Sequence, residues 1–202
     1  MTATNSPSSE ASPATAASPV LDDERTDLLA ALADARAALT RTVRGLDDAQ
    51  AAVRPTASEL CLGGLIKHVA SMEESWMRFV VDGPSAMRYD LPEGVTWGDL
   101  AAGTARELPR WAVEHRAAFS MRPGDTLAGV LRHYEDIASR TDRIVAALAD
   151  LSATHPLPEA PWNEPGAVRS VRRVLAHLVA ETAQHAGHAD ILRETLDGQK
   201  SS

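Results

Sequence analysis

The 202-residue chain is predicted to fold as an all-α four-helix bundle. Three observations predict it. Four long segments repeat apolar residues at three- and four-residue steps. No stretch alternates apolar and polar residues convincingly as a strand does. Hydrophobic residues make up 44% and charged residues 24%, the balance of a globular domain with a sizeable core.

The elements follow in order. Residues 1–20, "MTATNSPSSEASPATAASPV", are Ser, Thr, Ala and Pro with little to bury, and are expected to be a disordered tail ahead of a domain spanning 21–198. The first helical pattern runs from about Leu21 to Leu46 through Leu28, Leu32, Ala35, Leu39 and Thr42, and Pro55 confirms a break. The second runs from about Glu59 to Val81, with Leu62, Leu65, Ile66, Val69, Met72, Trp76, Phe79 and Val80 on its apolar side. Residues 83–124 hold four prolines and several glycines, with a short helix from about Trp97 to Ser120 broken or started at Pro109. So long a connector either crosses the bundle or caps one end of it. The third long helix, capped by Asp125 or Thr126, steps through Leu127, Val130, Tyr134, Ile137, Thr141, Ile144, Leu148 and Leu151. "HPLPEAPWNEPG" is loop, and the last helix starts near Ser170 and ends before Gly198.

The last helix departs from this pattern. Its seam reads Val171, Val174, Leu178, Glu181, His185, His188, Leu192, so a carboxylate and two imidazoles stand where aliphatic residues are expected. At about 100° per residue those three span roughly 40°, and His177 lies about 40° from Glu181. A buried carboxylate without a partner costs several kcal/mol by an order-of-magnitude estimate, so about as much must be recovered elsewhere. A salt bridge or hydrogen-bond network is one means. A divalent metal is another, since Zn²⁺ accepts imidazole nitrogen and carboxylate oxygen and Glu181 and His185 are one turn apart. A third ligand must then come from a facing helix. His68, mid-way along the second helix, is the natural candidate, although a lone histidine on an apolar face is also a common core residue. His115, in the connector, His133, beside the third seam, and His155, in the proline-rich loop, fit less well.

Composition bounds the partners. A net charge of −8 argues against nucleic acid, and Arg169, Arg172 and Arg173 read as a solvated helix start. No apolar run is long enough for a membrane. The N-terminus lacks a secretory pattern, and the one cysteine, Cys61, suits a reducing cytoplasm, where the protein is expected. Cys61 reads as a small buried residue at a helix start, with a metal-ligand or nucleophile role as the alternative. Trp76, Trp97, Trp111 and Trp162 either line a pocket or fill core and loop contacts.

"RPTASELCLGGLIKHVASMEESW" and "VLAHLVAETAQHAGHADILRETLDG" resemble the two signature segments of the DinB-like superfamily, and more closely its mini-circle-protein branch, common in actinobacteria. The resemblance covers about residues 20–198. It implies a four-helix bundle with a long crossover and a divalent metal, zinc first and nickel second, held by three side chains at one end of the bundle. Much of the superfamily has two histidines four apart on the last helix. Here Glu181 takes the first of those places and His185 the second, as in the His, Glu, His set of the related mycothiol-dependent maleylpyruvate isomerases. Carried over, the metal ligands are His68, Glu181 and His185. His188 and His177 have no ligand counterpart and become candidate catalytic groups, as proton shuttles or as orienting residues.

The implied partners are a low-molecular-weight thiol, such as mycothiol, bacillithiol or glutathione, and a small electrophile. Three protein ligands leave a metal position open, where a thiol becomes a thiolate near neutral pH. The implied function is a metal-dependent thiol S-transferase or thiol-dependent isomerase, with Arg193 or Arg169 to hold substrate carboxylates. The alternatives are a non-catalytic metal-binding bundle and a metal-dependent hydrolase. A homodimer formed by packing helices is a further implication.

Overall fold

The computed structural model describes residues 22–200. The expected N-terminal tail, residues 1–20, lies outside the described residues. Four long helices form the bundle: α1 (Asp23–Arg41), α3 (Leu62–Asp82), α6 (Leu127–Ala147) and α7 (Val171–Asp197). Three short ones accompany them: α2 (Asp48–Ala52), α4 (Trp97–Ala102) and α5 (Arg110–Ala118).

Local chemistry sets the ends. The side chains of Asp22, Thr126 and Ser170 accept the backbone N–H of Arg25, Gly129 and Arg173, so each satisfies an orphan donor of the first turn. Thr126, and not Asp125, is the cap of α6. Gly198 ends α7 with φ 78°, a left-handed conformation that glycine adopts without steric cost. The first helix stops at Arg41, short of Leu46, because residues 42–45 turn towards α2, whose capping box (Asp47 and Gln50) the apolar pattern did not reveal. The connector carries two helices, α4 and α5, and the second begins after Pro109.

Two buried clusters fix the helix directions. One unites Leu39 from the end of α1 and Val43 just beyond it, apolar residues between Leu62 and Ala70 from the start of α3, apolar residues between Leu127 and Ile137 from the first half of α6, and Ala186, Ala189 and Leu192 from the second half of α7. The other unites Leu32, Met77 to Val80, Val145, and Val171 to Leu178. Hence α3 and α6 run parallel, and α1 and α7 run against them. Two parallel neighbours cannot be joined by a tight turn, so residues 83–126 must travel the length of the bundle. The connector therefore crosses the bundle, and α5 packs on α3 as it does so.

One difference concerns strands. Thr154–Pro156 and Val168–Ser170 form a two-stranded antiparallel ladder with His155 opposite Arg169. Three-residue strands are too short to show alternation, which is why the pattern reads as loop. His155 Nε2 lies 3.1 Å from the Val80 carbonyl oxygen and ties this hairpin to the end of α3. Inside the bundle Glu73, fully buried, accepts Arg36 Nε at 3.1 Å and pairs with the rest of that guanidinium, which also reaches Asp142 at 3.0 Å. Among the described residues no helix is long and apolar enough to cross a membrane.

Candidate functional site

Two adjacent glycines bring the connector onto α3. A Cβ on Gly64 would stand 2.0 Å from the Phe119 carbonyl oxygen, and one on Gly63 would stand 2.6 Å from Met121 Sδ. Without side chains there, the segment after α5 lies directly on the helix. Lys67 fastens it, donating to the Ser120 carbonyl at 2.8 Å and pairing with Asp125. Phe119 is thereby laid flat on the His68 ring, with centroids 3.8 Å apart and planes 20° apart.

His68 is buried. Burial first, then the neighbouring His185 and His115, push its pKa down to about 3. At neutral pH it is an uncharged imidazole, the form that ligates a metal or accepts a proton. His185 meets it edge-on at 4.9 Å. His185 Nε2 lies 3.8 Å from Glu181 Oε2, and its Nδ1 lies 3.5 Å from His188 Nδ1. Burial also lowers the His185 pKa, with Glu181 opposing and His188 assisting. His177 Nδ1 lies 3.9 Å from Glu181 Oε1, and its ring stands edge-on to Trp76 at 5.2 Å. Burial lowers its pKa, against the pull of Glu181. The five residues singled out in the sequence therefore form one run of neighbours, His177, Glu181, His185 and His188 along α7, with His68 joined through His185.

The phase of α7 differs from the expected seam. Thr182 and Ala189 are fully buried and Ala186 nearly so, whereas the Glu181 side chain is 32% exposed. The small residues let the backbone of α7 approach its neighbours, and the polar row sits one residue round, at the edge of the packed face. Burial cost therefore does not by itself demand an ion beside Glu181. The donor types still suit one: two neutral imidazoles and a carboxylate from facing helices. Among the described residues no three His, Cys, Asp or Glu side chains form a group that could hold an ion as they stand. Glu181 meets its histidine neighbours only at 3.8 and 3.9 Å, beyond hydrogen-bond length, so it is the member that can turn inward. The row lies near the middle of α7.

A cavity of about 510 Å³ opens beside His68, walled by Trp76, Tyr89, Trp111, His115 and Trp162 among others. Three of the four tryptophans thus line a pocket, and Trp97 packs behind two of them at 5.8 and 5.3 Å. His68 is the one member of the expected ligand set in the cavity wall. The smaller groove between α3 and α6, about 170 Å³, contains no histidine. His115 is the residue that the sequence undervalued. It sits on α5, exposed, edge-on to His68 at 5.3 Å and to Phe119 at 5.4 Å. The i, i+4 spacing of His115 and Phe119 was the available signal. The two arginines named for substrate carboxylates separate. Arg193 is buried and donates to the carbonyls of Thr42 and Arg44 while pairing with Asp197, so it closes the end of α7. Cys61 is buried, its thiol 3.7 Å from the Phe119 carbonyl oxygen, in keeping with a packing role.

A family model described as mycothiol-S-transferase matches residues 27–198. No curated protein matches the chain closely enough to stand as a relative.

Proposed function

The chain belongs to the mycothiol S-transferase family, and from that premise we propose that it joins the sulfur of a low-molecular-weight thiol, mycothiol or a close analogue, to a small electrophile with the help of a divalent metal. The observation that carries the proposal is the double position of His68, in the cavity wall and in ring contact with His185. One residue links the space for substrates to the row of donors. The finer placement in the mini-circle-protein branch of the DinB-like superfamily rests on the two sequence segments alone.

His68, Glu181 and His185 are the proposed ligands. Zinc, or nickel in its place, would supply Lewis acidity that favours the thiolate over the thiol. His185 can offer Nε2 as its donor atom while its Nδ1–H points at His188 Nδ1, so His188 orients the ligand and fixes its tautomer. His177, 3.9 Å from Glu181 on the other side, is placed to hydrogen-bond the carboxylate once it moves. In the cavity, His115 stands where a thiol proton can be received and passed to solvent. The sulfur lone pair then forms a bond to the electrophilic carbon, and the leaving group departs with the electron pair of the bond that breaks. The walls of Trp76, Trp111 and Trp162 hold the substrates and keep water from competing.

The test is elemental analysis of purified protein together with thiol consumption. About one divalent ion per chain is expected, and His185→Ala and Glu181→Ala should each lose most of it. Metal-loaded protein should consume mycothiol in the presence of monobromobimane. Metal binding without turnover of any cellular thiol would leave the chain a metal-stabilised binding bundle. Activity that needs metal but no thiol would make it a hydrolase.

A further inference from the structure

Arg169, on the hairpin, stacks on Trp76 at the edge of the cavity: Trp76 lines the cavity and Arg169 itself does not. Its guanidinium carbon lies 4.8 Å from the centre of the Trp76 ring. It is half-buried, yet no carboxylate lies within ion-pair range of it among the described residues. The other arginines on structured contacts differ. Arg36 pairs with Glu73, Arg172 with Glu24 and Arg193 with Asp197. Burial holds the Arg169 pKa below that of a free guanidinium, and Arg173 adds to the effect while Tyr89 opposes it. The carboxylate in the cavity wall, Glu114, belongs to α5 and is taken by Arg110.

A partly desolvated cation without a counter-ion is costly to keep, and an anion supplied by a ligand would remove that cost. The guanidinium fork matches a carboxylate in two parallel hydrogen bonds, which an ammonium cannot do. Trp76 and Tyr89, both in the cavity wall, are aromatic neighbours suited to an unsaturated or aromatic body. The hairpin register fixes the position, because His155, opposite Arg169, is tied to α3.

We propose that Arg169, stacked on Trp76, is an anion-binding residue that receives the carboxylate of an unsaturated or aromatic second substrate, leaving its reactive end towards His68. This rests on the thiol-transfer function proposed above, but its test does not. Benzoate and the uncharged benzamide serve as probes, titrated by tryptophan fluorescence and calorimetry with and without a chelator. Benzoate should bind about tenfold more tightly than benzamide, in line with one charge-assisted pair. Arg169→Gln should abolish that preference with the melting temperature unchanged, Arg169→Lys should keep a reduced preference, and Arg173→Gln should leave it intact. Equal binding of the two probes by the natural protein would overturn the proposal. So would a preference that survives Arg169→Gln, or one that disappears on chelation. Failure of thiol turnover with the benzoate preference intact would refute the transfer function alone.

Discussion

Replacing Gly64 by Ala sets a gain against a collision. The gain is about 1 kcal/mol, because glycine loses more backbone freedom than alanine on entering a helix. The collision is with backbone: the added Cβ would meet the Phe119 carbonyl oxygen at 2.0 Å, its carbon at 2.4 Å and the Ser120 nitrogen at 2.8 Å. No rotamer change relieves it. The segment must retreat by about 1 Å to reach the 3.0 Å that Cβ contacts respect, and it is pinned by Lys67. Overpacking of this kind costs about 1–3 kcal/mol and occasionally more, so Gly64→Ala should destabilise by about 1–2 kcal/mol net. Gly187, on the exposed side of α7, is the control, since nothing lies within 4 Å of its would-be Cβ. Gly187→Ala should stabilise by about 0.5–1 kcal/mol. Urea denaturation at unchanged slope reads both values. A second readout is the His68 imidazole, followed by NMR in chelated protein. With Phe119 displaced it should titrate closer to its ordinary value. If the two alanines stabilise alike, or His68 keeps its low pKa in Gly64→Ala, the glycine does not seat Phe119 on the histidine and the account of the site fails.

Two more outcomes follow from the same geometry. In chelated protein His68 has a folded-state pKa of about 3 against 6.5 unfolded, so its neutral form stabilises the fold fully above pH 6.5 and that stability is lost as pH falls towards 3. Between pH 7 and pH 5 its share of the loss is about 2 kcal/mol, and His68→Gln should flatten the pH dependence of the urea midpoint by about that amount. Glu73→Ala leaves the buried Arg36 with Asp142 as its partner, and should destabilise by about 3 kcal/mol in thermal or urea unfolding while metal content stays unchanged.

The sequence by itself determined the four long helices. Their spacing of apolar residues, the caps at Thr126 and Ser170 and the stop at Gly198 are local signals, and a helix interior is specified by neighbours three and four positions away. It also picked out the row on α7, because Glu181, His185 and His188 break an otherwise apolar repeat. The tertiary structure decided the rest. Which residues of α7 face inward depended on how closely α7 could approach its neighbours, and the small side chains of Thr182, Ala186 and Ala189 won the centre of the packed face from the polar row. The path of the connector was set by the parallel arrangement of α3 and α6, a long-range fact with no local signature. That path carries His115 and Phe119 to His68, and the hairpin brings Arg169 to Trp76. These contacts join residues about 50 to 90 positions apart. Periodicity reports which face of a helix is apolar, but only the packed chain fixes what that face meets.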